Sequence, residues 1–499
     1  MPAQSNDLLR RGVVAAERGR VREGLALIRE AIALDGQNAE AHAQLGRWLS
    51  RLHRGAEAVA VAERALGLDP TDAVTLDTIG VVLSRAGQHE RAVECFERAV
   101  GADTRRASLH FNLGSSLRFL GRFEDAARAY ETCLEIDPRY WRAHTALAQL
   151  TTQTPARNHL DRLLHHLAQP GLDVNAELQL RHAAAKELED LGRYADAFEQ
   201  LLIGKHRKRA DRGYSFDRDR ALFETVMRLF ASPLPEPAAR HANVSPIFVV
   251  GMPRTGTTLV ERVLSSHSQV SSVGESQNLG VLIKRATGTP SRQVLDEATL
   301  ERSMTLDLGV IVDAYIAQTR PDDRPRFVDK MPLNFFYLGH IARALPAARL
   351  VVVRRQPLDA CLSSFRQLFA LDFSYYDYAY DLEDTARYYA MFDRLVAHWK
   401  RVLPGRIHEI QYERLVADSR AETQRLLEHC GLEWEQRCLE FERNPAPVAT
   451  ASAVQVRQPL HAGAIGRWRH YETGLRPVIE TLRGMGVDPT PEVAVGRQS

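Results

Sequence analysis

"PIFVVGMPRTGTTLVERVLSSH" occupies residues 246–267. A short apolar run, Ile247 to Val250, enters a turn bounded by glycines, Gly251-Met-Pro-Arg-Thr-Gly256-Thr-Thr258. A helical pattern follows, with Leu259, Val260, Val263 and Leu264 on one face. A turn of this kind aims backbone N–H groups and the positive end of a helix dipole at an anion. The spacing fits the phosphate-cradling pattern G-x-x-x-x-G-K-[ST] except that Thr257 stands where the lysine belongs. The nearest cation is Arg254 instead. The stretch predicts a strand–loop–helix unit that holds an anion without the usual lysine.

Downstream, short β-branched runs alternate with helical patterns: Ile247–Val250, Arg326–Val328, Leu350–Val353 and Ile407–Ile410. That alternation predicts a parallel sheet with helices on both faces. An ATP-cleaving enzyme would also need an acidic magnesium ligand after a strand. Asp329 could serve, but no lysine completes the set.

Upstream, the chain is self-similar at a period of 34 residues. Gly12, Gly46, Gly80 and Gly114 share one register, as do Asp35, Asp69, Asp103 and Asp137. Gly19, Gly87 and Gly121 keep it, with His53 at the missing place. So do two small-residue sets: Gly24, Ala58, Ala92 and Ala126, and Ala31, Ala65, Ala99 and Cys133. The sequence between these landmarks is helical in period. The whole resembles the tetratricopeptide repeat, a helix–turn–helix unit whose copies stack into an α-solenoid. Such repeats present a groove to a peptide or partner, or serve as a scaffold or homodimer surface; both roles stay open here.

The expected organisation is repeats over 5–154, a degenerate repeat-like helical region over 155–230, a proline-bearing linker over 231–243, and an α/β domain over 244–485. The basic run "GKHRKRADRGYSFDRDR", 204–220, reads as a solvated helix end or linker rather than a binding site. A net charge of +2 gives no case for binding nucleic acid in bulk, so anion binding must be local. Five scattered cysteines lack metal-site or disulfide spacing and suit a reducing compartment. No signal-peptide core is evident at the start, and no run approaches the roughly 18 apolar residues of a membrane span. The expected location is the cytoplasm.

Four further segments give the second half a family likeness. They are "VSSVGESQNL" (270–279), "FVDKMPLNFF" (327–336), "RRQPLDACLSSF" (354–365) and "QVRQPLHAGAIGRWRHYETGL" (455–475). With the loop at 253–258 they resemble the sulfotransferases that use 3′-phosphoadenosine 5′-phosphosulfate (PAPS), most closely the protein-tyrosine sulfotransferase branch. The resemblance implies that Pro253, Arg254, Thr255, Gly256, Thr257 and Thr258 cradle the 5′-phosphosulfate. It makes Glu275 the general base and sets Lys330 and Arg254 beside the transferring group. It places the 3′-phosphate on Arg355 and Ser363, sets Tyr412 of "IQYERLV" near the nucleotide, and covers the nucleotide with Arg467 and Trp468. PAPS is then a co-substrate and no metal is implied. The likeness covers about 244–485.

The chemistry of the residues agrees with this assignment. A sulfuryl group carries less negative charge than a terminal phosphoryl, so fixed arginine and lysine can stabilise its transfer. An acceptor hydroxyl must lose a proton as it attacks, which a carboxylate can take. Arginine's planar fork suits a phosphate. The branch implies a tyrosine of a protein or peptide as acceptor, recruited by the repeats; a sugar or small alcohol is the alternative. A further alternative is a repeat scaffold whose second domain only binds nucleotide. Ser364 and Arg354 compete with Ser363 and Arg355 for the 3′-phosphate, and Glu275 could instead cap the next helix. His267 and His340 read as structural, and Asp359 as a cap or partner within its own helix. The aromatic run 369–384 reads equally as an acceptor-side lid or a packed helix start.

Overall fold

The 34-residue register has a cause in packing. The computed structural model describes residues 2–491 apart from 53, 235–244, 292, 321, 372, 447, 449, 451 and 453. Helices pair as Pro2–Glu17 with Val21–Leu34, Ala39–Arg51 with Gly55–Leu66, Ala73–Arg85 with His89–Ala102, and Ala107–Phe119 with Phe123–Ile136. A Cβ at Gly80 would stand 2.6 Å from the Phe96 ring, and one at Gly114 2.8 Å from the Tyr130 ring. The facing small residues Ala58, Ala92, Ala126, Ala65, Ala99 and Cys133 are all buried. The recurring aspartates close turns: the carboxylates of Asp35, Asp103 and Asp137 accept the N–H two residues on, at 3.1, 3.2 and 2.9 Å. Another set obeys the same period and escaped the sequence reading. The Nε2 groups of His42, His110 and His144 donate to the carbonyls of Gly36, Thr104 and Pro138, at 3.2, 3.1 and 3.0 Å.

These repeats form one compact unit, residues up to 152, together with a later segment, 445–454. Within it the Val448 N–H donates to the Phe119 carbonyl at 3.4 Å.

The second unit comprises 153–444 and 455 onward. Its centre is a parallel sheet in the order β2-β3-β1-β4-β5, with β1 Ile247–Gly251, β2 Val270–Ser272, β3 Arg326–Asp329, β4 Arg349–Arg354 and β5 Ile407–Gln411. β1 and the middle of β4 are fully buried, as expected of a sheet covered on both faces. Strand β2 was not anticipated. It is three residues long and two of them are serines, too short and polar for a pattern to show.

A helical array followed by an α/β unit is what the sequence predicts. The helices of 155–230, however, group with the sheet. Lys205 is buried, and its Nζ donates to the carbonyls of Gln367 (2.8 Å) and Ala379 (3.0 Å). Burial pushes its ammonium down to about 7. Arg209 pairs with Asp384 (2.7 Å) and Arg212 with Asp377 (3.1 Å), while Arg218 donates to the Ser374 carbonyl (3.2 Å). Much of the basic run is therefore engaged by carboxylates and carbonyls within the fold rather than left to solvent. The linker expected at 231–243 falls largely on 235–244, outside the described residues.

The close approach at Gly80 gives a direct test. Gly80→Ala gains about 1 kcal/mol of helix propensity, yet overpacking against buried Phe96 costs about 1–3 kcal/mol. A lowered melting temperature is expected. Gly101, in the helix His89–Ala102 with nothing within 4 Å of its Cβ position, is the control. Gly101→Ala should leave the melting temperature unchanged or raise it.

Candidate functional site

The order β2-β3-β1-β4-β5 means the chain leaves β1 for one side and crosses to the other at β4. At such a switch point the loops beyond the strand ends diverge and leave a crevice. Here the crevice is bordered by the 252–256 loop after β1, Lys330 after β3, and Arg355 after β4.

The loop is held from behind. Thr255 Oγ1 donates to the Met252 carbonyl (2.7 Å), Ser364 Oγ to the Pro253 carbonyl (3.3 Å), and Arg355 Nη1 to the Arg254 carbonyl (3.1 Å). With these carbonyls engaged, the loop has little freedom to reverse. Gly256 has φ +106° and opens the helix Thr257–Ser265 without a side-chain cap. A Cβ there would also stand 2.6 Å from Tyr412 Cδ2, so only glycine fits. The first N–H groups of that helix have no acceptor within it, which is what an anion can use.

Charge accumulates around the loop. Burial and the charges of Arg355 and Arg467 bring Arg254 down to about 10. Its Nη2 donates to Gln455 at 3.1 Å. The Arg355 guanidinium lies over the Tyr412 ring, 5.1 Å from its centre. Arg354 turns elsewhere, pairing with Asp393 and lying 3.8 Å from Glu409. Of the two arginines, Arg355 is the one at the crevice. Ser364 is buried with its hydroxyl engaged, whereas Ser363 is half-buried and makes no side-chain hydrogen bond among the described residues.

Lys330 is fully buried, and its Nζ lies 2.5 Å from Glu275 Oε1 and 3.6 Å from Glu261 Oε2. Burial alone would lower this ammonium; the two carboxylates outweigh it and raise it. Glu275 does not cap the next helix, Asn278–Thr287, whose cap position is Gln277. Its side chain is 40% exposed, so one face of the carboxylate remains open to solvent.

The segment after 455 is tied down by residues the sequence reading did not use. Asp359 accepts the N–H groups of Gly466 (2.6 Å) and Trp468 (3.0 Å), so it reaches outside its own helix. Arg467 pairs at 3.1 Å with Glu189, a buried carboxylate that also receives Arg366 and Tyr471. The Trp468 ring has the Arg469 guanidinium over it at 5.1 Å. No sequence signal marks Glu189, whose partners lie far along the chain. Glu261 stands one helical turn beyond Thr257, a spacing that could have suggested it. His340 is buried against Ser303 (2.7 Å), and His267 donates to the Glu433 carbonyl (3.0 Å); both are structural. The run 369–384 includes a packed 3-10 helix, Ser374–Tyr380, with Tyr378 buried and stacked on Tyr388 at 3.8 Å.

Asp329 is buried and accepts from Tyr315 (2.6 Å) and Asn334 (3.4 Å). Its carboxylate is already engaged, which does not suit a magnesium ligand. Among the described residues no group of three or more His, Cys, Asp or Glu side chains could hold a metal ion. No described helix is long and apolar enough to cross a membrane.

Residues 246–436 match the Sulfotransferase family, and 9–73, 78–140 and 111–154 match the tetratricopeptide repeat. The chain therefore carries tetratricopeptide repeats followed by a sulfotransferase-family domain. An uncharacterized protein of Aquifex aeolicus (strain VF5) is 34% identical over 310 residues, covering 60% of this chain and 40% of that protein. The chain thus spans well under two thirds of that relative. A putative protein-tyrosine sulfotransferase of Caenorhabditis briggsae is 23% identical over 236 residues, covering 44% of this chain and 80% of the relative. Protein-tyrosine sulfotransferase A of Caenorhabditis elegans is 23% identical over 264 residues, covering 49% and 67%.

Asp329 supplies a pH test. Burial, ahead of the neighbouring Glu261 charge, pushes its carboxyl up to about 7. A raised value means the contribution to stability is full below its unfolded value of about 4. It is lost as pH rises through about 7. Asp329→Asn keeps an acceptor for Tyr315 and cannot ionise. Denaturant unfolding should then show a flatter dependence on pH across that window than the parent chain shows.

Proposed function

We propose that this chain transfers the sulfuryl group of PAPS to an acceptor hydroxyl, with a tyrosine of a protein or peptide as the acceptor. The observation that carries the reading is the Lys330–Glu275 pair, 2.5 Å apart at the end of β3, in the crevice that also receives the glycine-bounded loop. A carboxylate that can take a proton and a cation that can stabilise a leaving oxygen thus stand together. The likeness to protein-tyrosine sulfotransferases supports the acceptor class.

In this reading residues 253–258 receive the 5′-phosphosulfate, with Arg254 and Lys330 as fixed cations. Glu275 takes the proton of the acceptor hydroxyl as the oxygen–sulfur bond forms. The bond between sulfur and the phosphate oxygen breaks, and its electron pair remains on that oxygen, facing Lys330 and Arg254. The products are the sulfate ester and 3′-phosphoadenosine 5′-phosphate (PAP). Arg355 and Ser363 take the 3′-phosphate, Tyr412 flanks the nucleotide, and Arg467 and Trp468 sit in the segment that covers it. The repeats offer the acceptor polypeptide a surface. We place the protein in the cytoplasm, a location that suits its five free, buried cysteines.

Recognition of the 3′-phosphate separates PAPS from other adenylates and gives the test. Arg355→Ala should weaken PAP by about 10–100-fold, the scale of a lost hydrogen bond to a charged group. Adenosine 5′-phosphosulfate, which lacks the 3′-phosphate, should be weakened far less. Arg354→Ala should leave the ratio of the two affinities unchanged. Equal losses for both ligands in titration calorimetry would remove Arg355 from that role.

A further inference from the structure

One buried carboxylate, on the helix after β1, contacts the ends of β2 and β3 and has no part in the scheme above. Glu261 lies on the helix that leaves the 252–256 loop, Thr257–Ser265, and is buried. Its Oε1 accepts from Ser272 Oγ at 2.6 Å, and its Oε2 lies 3.6 Å from Lys330 Nζ. Ser272 Oγ in turn accepts the Gly274 N–H at 3.1 Å, and the Gly274 carbonyl accepts the Lys330 N–H at 3.0 Å. The contacts close into a ring: Glu261, Ser272, Gly274, Lys330. Gly274 has φ +65° and immediately precedes Glu275, so the turn fixed by this ring is the one that carries the exposed carboxylate.

We propose that Glu261 is the positioning residue of the transfer site: it remains beside Lys330 as its counter-ion when Glu275 takes the acceptor's proton, and it holds the Glu275 turn through Ser272. The inference rests on the transferase reading and names a residue that reading leaves without a role. Its physical ground is the placement of Lys330. A fully buried ammonium loses its proton more easily unless carboxylates face it. Lys205, held by carbonyls alone, is pushed down to about 7, whereas Lys330 beside two carboxylates is raised. Glu275 becomes neutral when it accepts a proton. Without a second carboxylate, each proton transfer would leave the ammonium buried and uncompensated. Glu261, buried and bonded to Ser272, stays in place while the more exposed Glu275 engages the acceptor.

The groups around the pair are few. Asp329, bonded to Tyr315, adjoins Lys330 from the end of β3, and its own charge is opposed by Glu261. Arg254 from the loop and Tyr376 from the 3-10 helix Ser374–Tyr380 face Glu275. Replacing Glu261 by an uncharged residue removes one of the two carboxylates that raise Lys330, so the ammonium should lose its proton at lower pH. The alkaline limit of activity should move with it.

The chain has only six lysines, at 186, 205, 208, 284, 330 and 400, which makes the ammonium directly observable. Full-length protein with isotope-labelled lysine is titrated by NMR, and Lys330→Arg identifies the resonance. In Glu261→Gln the Lys330 midpoint should fall by about one pH unit or more. With PAPS and a phenol, kcat should fall about tenfold or more, with the alkaline limb displaced downward and PAP affinity unchanged. Glu261→Asp should recover most of the rate. Ser272→Ala, which leaves the charge but frees the turn, should lower kcat without moving the Lys330 midpoint; it also keeps the test open if Glu261→Gln does not fold. An unmoved Lys330 midpoint in folded Glu261→Gln overturns the proposal, and so does an unchanged kcat with a moved midpoint. A parent chain that transfers no sulfuryl group while the midpoint moves instead overturns the transferase reading and leaves the pairing standing.

Discussion

A buried ammonium between two carboxylates organises the second half of this molecule. Lys330 has no access to water, so its charge exists only by virtue of Glu275 and Glu261. Those partners come from different elements, one from the turn after β2 and one from the helix after β1. The ion triad thereby ties the ends of β1, β2 and β3 to one another. Pairs of this kind contribute little net stability once desolvation is counted, and losing one partner is far more damaging than never having had the set. Their value here is positional: a carboxylate and an ammonium are held within bonding distance of each other by the fold itself.

The same logic of buried charge extends outward. Glu189 gathers Arg366, Arg467 and Tyr471, and Asp359 gathers the N–H groups of Gly466 and Trp468. Both nodes fasten the segment after 455 to the body of the second unit. Lys205, Arg209 and Arg212 fasten the helix Tyr194–Arg212 to residues 367–384. The part of the chain that supports the crevice therefore begins well before residue 246, where the family match starts. A sequence-defined domain and a physically supported site need not have the same boundary.

What could be read in advance follows from the range of each interaction. The repeat was legible because helix crossings demand small residues at fixed intervals, and Gly80 and Gly114 record that demand one position at a time. The loop at 251–256 was legible because Gly256 must accept a positive φ and the Tyr412 ring at once. Lys330 and Glu275 could be singled out only by family likeness; their pairing appears only when β2 and β3 lie side by side. Glu189 was missed, and Lys205 and Arg209 of the basic run misjudged, because their partners lie more than 150 residues away. A charge run has the same composition whether it faces water or acceptors within the fold, and only the fold tells the two apart.

The most direct measurement is transfer of label from sulfur-labelled PAPS, with a metal chelator present, to a nitrophenol and to a tyrosine peptide. The account expects the parent chain to label both. It expects Glu275→Gln to lose about 10²–10⁴ in turnover on the tyrosine peptide, the usual scale of general-base catalysis. The loss on the nitrophenol should be much smaller, because a phenol already ionised at assay pH needs no base, whereas tyrosine titrates near 10. Absence of label in either acceptor, or equal losses on both, would contradict it.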